Sequence, residues 1–154
     1  MIDLDAIDRR LLAILQEDAT ASIAELAERV GLSQTPCWKR LKRLQDTGVI
    51  TARVALLDRD ALDLPLTVFV AVKTGRHDEA WLETFAKGAS ALPEVVEFYR
   101  MAGEVDYLLK VVVKDIAAYD RFYKRLIATA PLTDVSSSFA MEQIKFTTAL
   151  PIPV

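Results

Sequence analysis

The sequence has one cysteine, Cys37, and one histidine, His77. A lone cysteine permits no internal disulfide and no cysteine-built metal centre, and a single histidine adds no ligand cluster, so neither a metal nor any other cofactor is expected. Positive charge is not in excess either: 19 lysines and arginines face 22 acids, a formal net charge of -3. A protein that coats nucleic acid or an anionic membrane through bulk charge is excluded, and any such contact must be local. Long apolar runs are absent. The longest nearly apolar one, Leu64 to Val72, is about half the roughly 20 residues of a membrane helix, so no membrane partner is expected. The opening MIDLDAIDRRLLAIL puts acids ahead of its apolar residues and lacks a basic leader with a small-residue cleavage site. No export signal is read there, and a reducing cytoplasm is the expected compartment. With 52% hydrophobic and 27% charged residues, the 154-residue chain has the composition of a globular protein able to bury a core.

Two textures meet near residue 60. Before it, apolar residues recur at helical spacing. After it, β-branched and aromatic runs alternate with two further helical patterns. Leu4, Ile7, Leu11, Ile14 and Leu15 line one face of a first helix, with Asp5 as its N-cap. SIAELAERVG sets Ser22 three residues before Glu25 as a capping box, carries Ile23, Leu26, Ala27 and Val30 on one stripe, and stops at Gly31. LSQTPCWKRLKRLQDTGVI follows, with Cys37, Leu41 and Leu44 at i, i+4 and i+7. TGVITARVALLD offers a glycine turn and β-branched residues, which predict a small ribbon from Val49 to Leu57, and LDRDALDLPL reads as a connector. Then LTVFVAVK reads as strand, HDEAWLETFAKGASAL as helix, EVVEFYRM and VDYLLKVVVK as strands, DIAAYDRFYKRLIATA as helix and VSSSFAMEQIKF as strand. The order β-α-β-β-α-β is ferredoxin-like. Leu82, Phe85, Ala86 and Ala89 on one helix and Phe122, Leu126 and Ile127 on the other supply stripes to cover the sheet. An α+β chain with domains at 1–60 and 61–154 follows.

The third helix carries the chemistry. Its apolar side is Cys37, Leu41 and Leu44; the opposite side holds Thr35, Lys39, Lys42 and Arg43, flanked by Arg40 and Trp38. A short capped helix, a glycine turn and a second helix with a polar start form a helix-turn-helix, whose second helix enters the DNA major groove. Pro36 suits a first helical turn, where its missing N–H costs nothing. Either Ser33 or Thr35 is the N-cap. Their hydroxyls and the backbone donors favour a phosphate there, while Lys39, Arg40, Lys42, Arg43 and Gln34 divide between phosphate positioning and base reading. If two such helices neutralised roughly six phosphates, affinity would fall about a thousandfold between 50 and 200 mM salt. Trp38 either covers the edge of the small domain or touches DNA, and Cys37 reads as a small core residue rather than a redox sensor.

The runs LDAIDRRLLAILQEDATASIAELAERVGLSQTPCWKRLKRLQDTGVI, VALLD, MAGEVDYLLKV and AMEQIK resemble the Lrp/AsnC (feast/famine) family of bacterial transcription regulators over nearly the whole chain. The resemblance implies an N-terminal winged helix-turn-helix and a C-terminal ferredoxin-like effector domain, assembled as dimers and then octamers or similar rings, with amino acids as effectors. It places Gly103, Glu104, Asp106 and Tyr107 of MAGEVDYL in a turn lining an effector pocket between subunits. Asp106 could pair with an ammonium group, and turn N–H groups could receive a carboxylate. Met101 adjoins this turn, and Arg100 is a carboxylate ligand if it faces the pocket. Strict alternation puts Val96, Phe98 and Arg100 on one side of the strand and Val95, Glu97, Tyr99 and Met101 on the other. Ser136, Ser137 and Ser138 either complete the pocket or mark a solvent-facing strand. Similarity of TPCWKRLKRL and SSFAMEQIKFTT to a cysteine-responsive subgroup adds L-cysteine as a candidate effector.

An enzyme would need a nucleophile elbow, phosphate loop or ligand cluster, and none is present; His77 beside Asp78 reads as a cap region rather than a base. An RRM would need exposed aromatics on its central strand, where VDYLLKVVV is aliphatic. An amino-acid-binding regulator whose helical domain docks proteins instead of DNA is the remaining alternative.

Overall fold

The computed structural model describes residues 2–76 and 78–153. The chain divides into two compact units: Met1–Leu56 with Lys145–Val154, and Leu57–Ile144. Residues 145–154, read from sequence as part of the sheet domain, thus group with the helices. One reason is visible in the Gln16 side-chain amide, whose Nε2 donates to Leu150 O (3.2 Å) and whose Oε1 accepts from Leu150 N (2.6 Å).

In the helical unit, α1 spans Ala6–Glu17, α2 Ile23–Val30 and α3 Gln34–Asp46. Asp5 caps α1, accepting from the Ile7 and Asp8 amides, and the Asp8 carboxylate returns a bond to Asp5 N. The expected box at Ser22 and Glu25 closes α2, and Gly31 ends it in the left-handed region at φ 72°. An L side chain there would be strained, which is why the helix stops at glycine. Leu11, Ile14, Leu26, Ala27, Val30, Cys37 and Leu41 form one buried cluster. Burial pushes the Cys37 thiol above its usual range, as befits a core residue. After α3 the chain runs from 51 to 58 without strand structure. The ribbon expected at Val49–Leu57 is therefore not formed: β-branched residues favour extension, but a strand also needs a partner ladder.

In the sheet unit, β1 spans Leu66–Lys73, α4 Glu79–Ser90, β2 Val95–Arg100, β3 Tyr107–Val113, α5 Ile116–Ile127 and β4 Asp134–Phe139. The strands pair antiparallel in the order β2-β3-β1-β4. Asp78 and Asp115 cap α4 and α5 by accepting from Trp81 N and Ala118 N; His77 lies outside the described residues. The covered face of the sheet contributes Val68, Val70, Val72, Tyr107, Leu109, Val111 and Val113, packed with Trp81, Phe85, Tyr119, Phe122 and Leu126 from the helices. Ile127, placed on the apolar stripe by spacing, is exposed, whereas Trp81 and Tyr119 are buried. Trp81 manages this because its indole N–H donates to Pro131 O at 2.9 Å.

Two strand details depart from expectation. Val95 opposes Val111 and Glu97 opposes Lys110, so Val96 is an extra residue in a bulge. The bulge restarts the alternation, leaving Val95 and Phe98 against the core and Glu97 beside Lys110, with a 2.7 Å ion pair. Also, β4 ends at Phe139 instead of running to Phe146. After Ala140 N bonds Thr67 O, its partner strand has only Leu66 left before Pro65, and the ladder runs out.

Candidate functional site

The chemistry-bearing residues fall into two groups, one in each unit. In the helical unit the group is built on α3. Ser33, not Thr35, is the N-cap, and its hydroxyl makes no capping bond. Pro36 falls in the first turn, where a backbone N–H would have no intrahelical acceptor and its missing donor costs nothing, and Cys37 N is the first to reach back, to Ser33 O at 3.3 Å. Cys37, Leu41 and Leu44 are buried and turn the opposite face outward. On it, Thr35, Lys39 and Lys42 are exposed, as is Gln34 in the first turn, and Trp38 at its flank stands half-exposed.

The arginines of the positive face are countered by acids that lie outside α3. Arg40 Nη1 meets Asp5 Oδ2 at 2.6 Å and Asp8 Oδ1 at 3.0 Å, while Arg43 Nη2 donates to Asp8 Oδ2. Lys42 pairs with Asp46 one turn along, at 3.1 Å. Of the four cations, Lys39 alone has no ion pair among the described residues. Asp8 is 1% exposed, a buried carboxylate that two guanidinium groups satisfy. Asp5 is held at a pKa of about 2, first by the Asp8 backbone N–H and then by Arg40, and Arg40 is raised in turn by the two acids. Asp3, Asp5, Asp8, Pro36, Lys39, Arg40 and Arg43 line an open groove of about 490 Å³. Asp8 was missed in the sequence. Its signal was position: four residues after Leu4 and three before Leu11, on the apolar stripe of α1.

In the sheet unit the second group surrounds the β2–β3 connection. Gly103 sits at φ 130°, in a region essentially reserved for glycine. Asp106 organises the connection three ways: its carboxylate accepts from Thr74 N (2.8 Å), its N–H donates to Val72 O (3.0 Å), and its carbonyl accepts from Met101 N (2.8 Å). Glu104 is exposed, with Lys73 at 3.8 Å, and Met101 is exposed at the same end. Arg100 opposes Tyr107 in the ladder and remains exposed at the strand end.

Tyr107 does not belong with them. It is 4% exposed and its ring packs on Trp81, Phe85 and Phe98 at centroid distances of 5.8, 5.4 and 5.9 Å. It is core, because strand alternation from Leu109 directs it at the helices. The same alternation divides the three serines. Ser137 is half-buried, its hydroxyl bonded to that of Tyr119, whereas Ser136 and Ser138 are exposed opposite Ala71 and Phe69.

Among the described residues no group of three or more His, Cys, Asp and Glu is arranged to hold a metal, and no helix is long and apolar enough to cross a membrane.

Comparison with known proteins adds the following. A family model described as the Lrp/AsnC ligand binding domain matches residues 67–150, and one for winged helix-turn-helix DNA-binding matches residues 4–51. The chain is 57% identical to the DNA-binding transcriptional activator DecR of Escherichia coli K12, over 97% of this chain and 99% of that one. Among solved structures, an AsnC family transcriptional regulator from Agrobacterium tumefaciens is 58% identical with a TM-score of 0.94, covering 96% of this chain and 97% of that one. A transcriptional regulator from Neisseria meningitidis, solved as its complex with L-Met, is 37% identical with a TM-score of 0.92, covering 97% of each chain.

Proposed function

Because this chain belongs to the Lrp/AsnC family of DNA-binding transcription regulators, we propose that α3 is its DNA-reading helix and that the connection around Gly103 forms part of a small amino-acid effector site. The observation that carries the first half is the placement of α3. Its apolar side is locked into the helical core, its N-terminal turn offers the Ser33 hydroxyl, which makes no capping bond, and Lys39 is exposed with no ion pair among the described residues. Lys39 and the hydroxyls of Ser33 and Thr35 position phosphates; Gln34 and Arg43 read base edges; Lys42, Arg40 and Trp38 flank the contact.

The second half rests on chemistry at one end of the sheet. Asp106 and Glu104 offer carboxylates to an ammonium group, and Arg100 a guanidinium to a carboxylate. Ser136, on the exposed face of β4 next to that end, adds a hydroxyl, with Ser138 two residues further along the strand and Met101 supplying apolar contact. The Neisseria relative solved with L-Met supports an amino acid as ligand class.

The protein acts in the cytoplasm as a homo-oligomer, a dimer that builds to an octamer or similar ring. Each dimer presents two α3 helices to half-sites about one DNA turn, or a multiple, apart. Effector binding changes how dimers associate, and hence DNA occupancy, through unequal affinity for two assembly states. No catalytic step is assigned; turnover of an amino acid by the purified protein would overturn that.

Gel shifts across a salt series test the first half. Lys39→Ala should make the salt dependence shallower by about 0.9 in log–log slope per bound chain. An unchanged slope would move the contact elsewhere, or leave protein docking as the helical unit's role. A thermal-shift screen of the twenty amino acids, L-cysteine and L-methionine included, tests the second. A ligand at 100 times its Kd should stabilise by about 2.7 kcal/mol, and indifference to all of them would sink the effector reading.

A further inference from the structure

We infer that Asp8 is a specificity-determining positioning residue of the DNA-reading surface, acting through Arg40 and Arg43; this rests on α3 being the helix that meets DNA. A carboxylate that is 1% exposed cannot be solvated, so it must be matched by positive charge, and the two arginines supply it. The match is asymmetric. Arg40 gives the same terminal nitrogen to Asp5 and Asp8 and is the more covered of the two, at 29% side-chain exposure. Arg43 gives one terminal nitrogen to Asp8 and is 45% exposed. Arg40 is therefore a brace between α3 and the first turn of α1. Arg43 is held along one edge of its guanidinium with its other N–H groups left to meet a base.

Two consequences follow for binding. First, the arginines are ordered before DNA arrives, so less side-chain entropy is lost at each base contact. Second, carboxylates already occupy the place of phosphates. An arginine whose charge is met by Asp8 gains little from an arbitrary phosphate, and only a partner offering hydrogen-bond acceptors at the free edge of Arg43 is favoured. Asp8 thereby lowers affinity for random sequence more than for the preferred site. This is how a helix with four cations can avoid binding every duplex tightly.

Asp8→Asn tests this, since the amide keeps an acceptor for Asp5 N and removes the charge. The probes are a pool of random-sequence duplexes and the duplex that the wild-type protein enriches from that pool, each titrated between 50 and 200 mM salt. On the random pool the variant should show a slope steeper by about 0.9 to 1.8 per bound chain, as one or both arginines turn to phosphates. The ratio of enriched-site to random affinity should fall at least several-fold, and Asp8→Glu should restore part of it. If the folded variant keeps the wild-type slope, or loses both affinities by one common factor, Asp8 only holds the fold and the inference is wrong. Should Asp8→Asn fail to fold, the exposed Asp5→Asn, which frees Arg40 from one of its two acids, must show the smaller shift in the same direction, and no shift overturns the proposal. Lys39→Ala separates the layers. If it leaves the slope unchanged, α3 is not the DNA surface; if it flattens the slope while Asp8→Asn does nothing, only the role of Asp8 is refuted.

Discussion

Replacing Asp106 with asparagine separates two jobs that its carboxylate is placed to do. One oxygen accepts from Thr74 N at 2.8 Å, a bond that fastens the end of β1 to the β2–β3 connection. An amide oxygen can make the same bond, so the fold should lose little, under about 1 kcal/mol. The other proposed job, meeting an effector's ammonium, depends on the negative charge. A hydrogen bond to a charged partner contributes about 1.5–3 kcal/mol, so affinity should drop roughly ten- to 150-fold. At a ligand concentration 100 times the wild-type Kd, a hundredfold loss shrinks ligand stabilisation from about 2.7 to about 0.4 kcal/mol. Differential scanning fluorimetry with and without the amino acid reads this directly, as a ligand-induced rise in Tm about one-sixth of the wild-type rise. If Asp106→Asn keeps its unliganded Tm and responds to the amino acid as wild type does, Asp106 is a brace of the strand connection and nothing more. A variant that loses its unliganded Tm heavily would instead show that the Thr74 bond needs the charge.

Gly88 lies inside α4, where alanine would ordinarily help by about 1 kcal/mol. A Cβ there would stand 2.8 Å from Thr129 Cβ and 2.9 Å from its Cγ2. Gly88→Ala should therefore destabilise, by about 1–3 kcal/mol in denaturant titration, and a neutral or stabilising result would contradict the tight packing. The Asp5 cap yields to acid only at low pH. Its folded pKa of about 2 lies below the ordinary 3.8, so its contribution is complete above about pH 4 and is lost as pH falls toward 2. Far-UV circular dichroism of Asp5→Asn should show a shallower loss of stability across that window than wild type, and identical acid curves would refute the assignment.

Local rules carried much of the fold because they act within a few residues. The Asp5 cap, the Ser22 and Glu25 box and the Gly31 stop each depend on neighbours three or four positions away, and each forms. The β1 and β3 strands alternate against a single covered face and read plainly. What spacing alone missed depended on partners far along the chain. The Val96 bulge exists only in register with β3, and it reverses which of Val95 and Val96 faces the core. The end of β4 at Phe139 is set by Pro65, more than seventy residues earlier. Trp81 reads as amphipathic until Pro131 O is seen to satisfy its indole. The site divides in the same way. That α3 is basic and outward-facing was legible; that Asp5 and Asp8 meet its arginines was not, because charge counted along one helix omits acids contributed by another.

The return of residues 145–154 to the helical unit changes what counts as a separable piece of this protein. Topologically, the sheet is an insertion into the helical unit, entered near Leu57 and left near Ile144. The helical unit is assembled from two stretches of chain that the sheet must bring together, as a long closed loop would. A fragment cut at residue 60 keeps α1 to α3 but forfeits the Leu150 backbone that clasps Gln16 from both sides. The sheet unit is thus joined by chain to the helical unit at both of its ends.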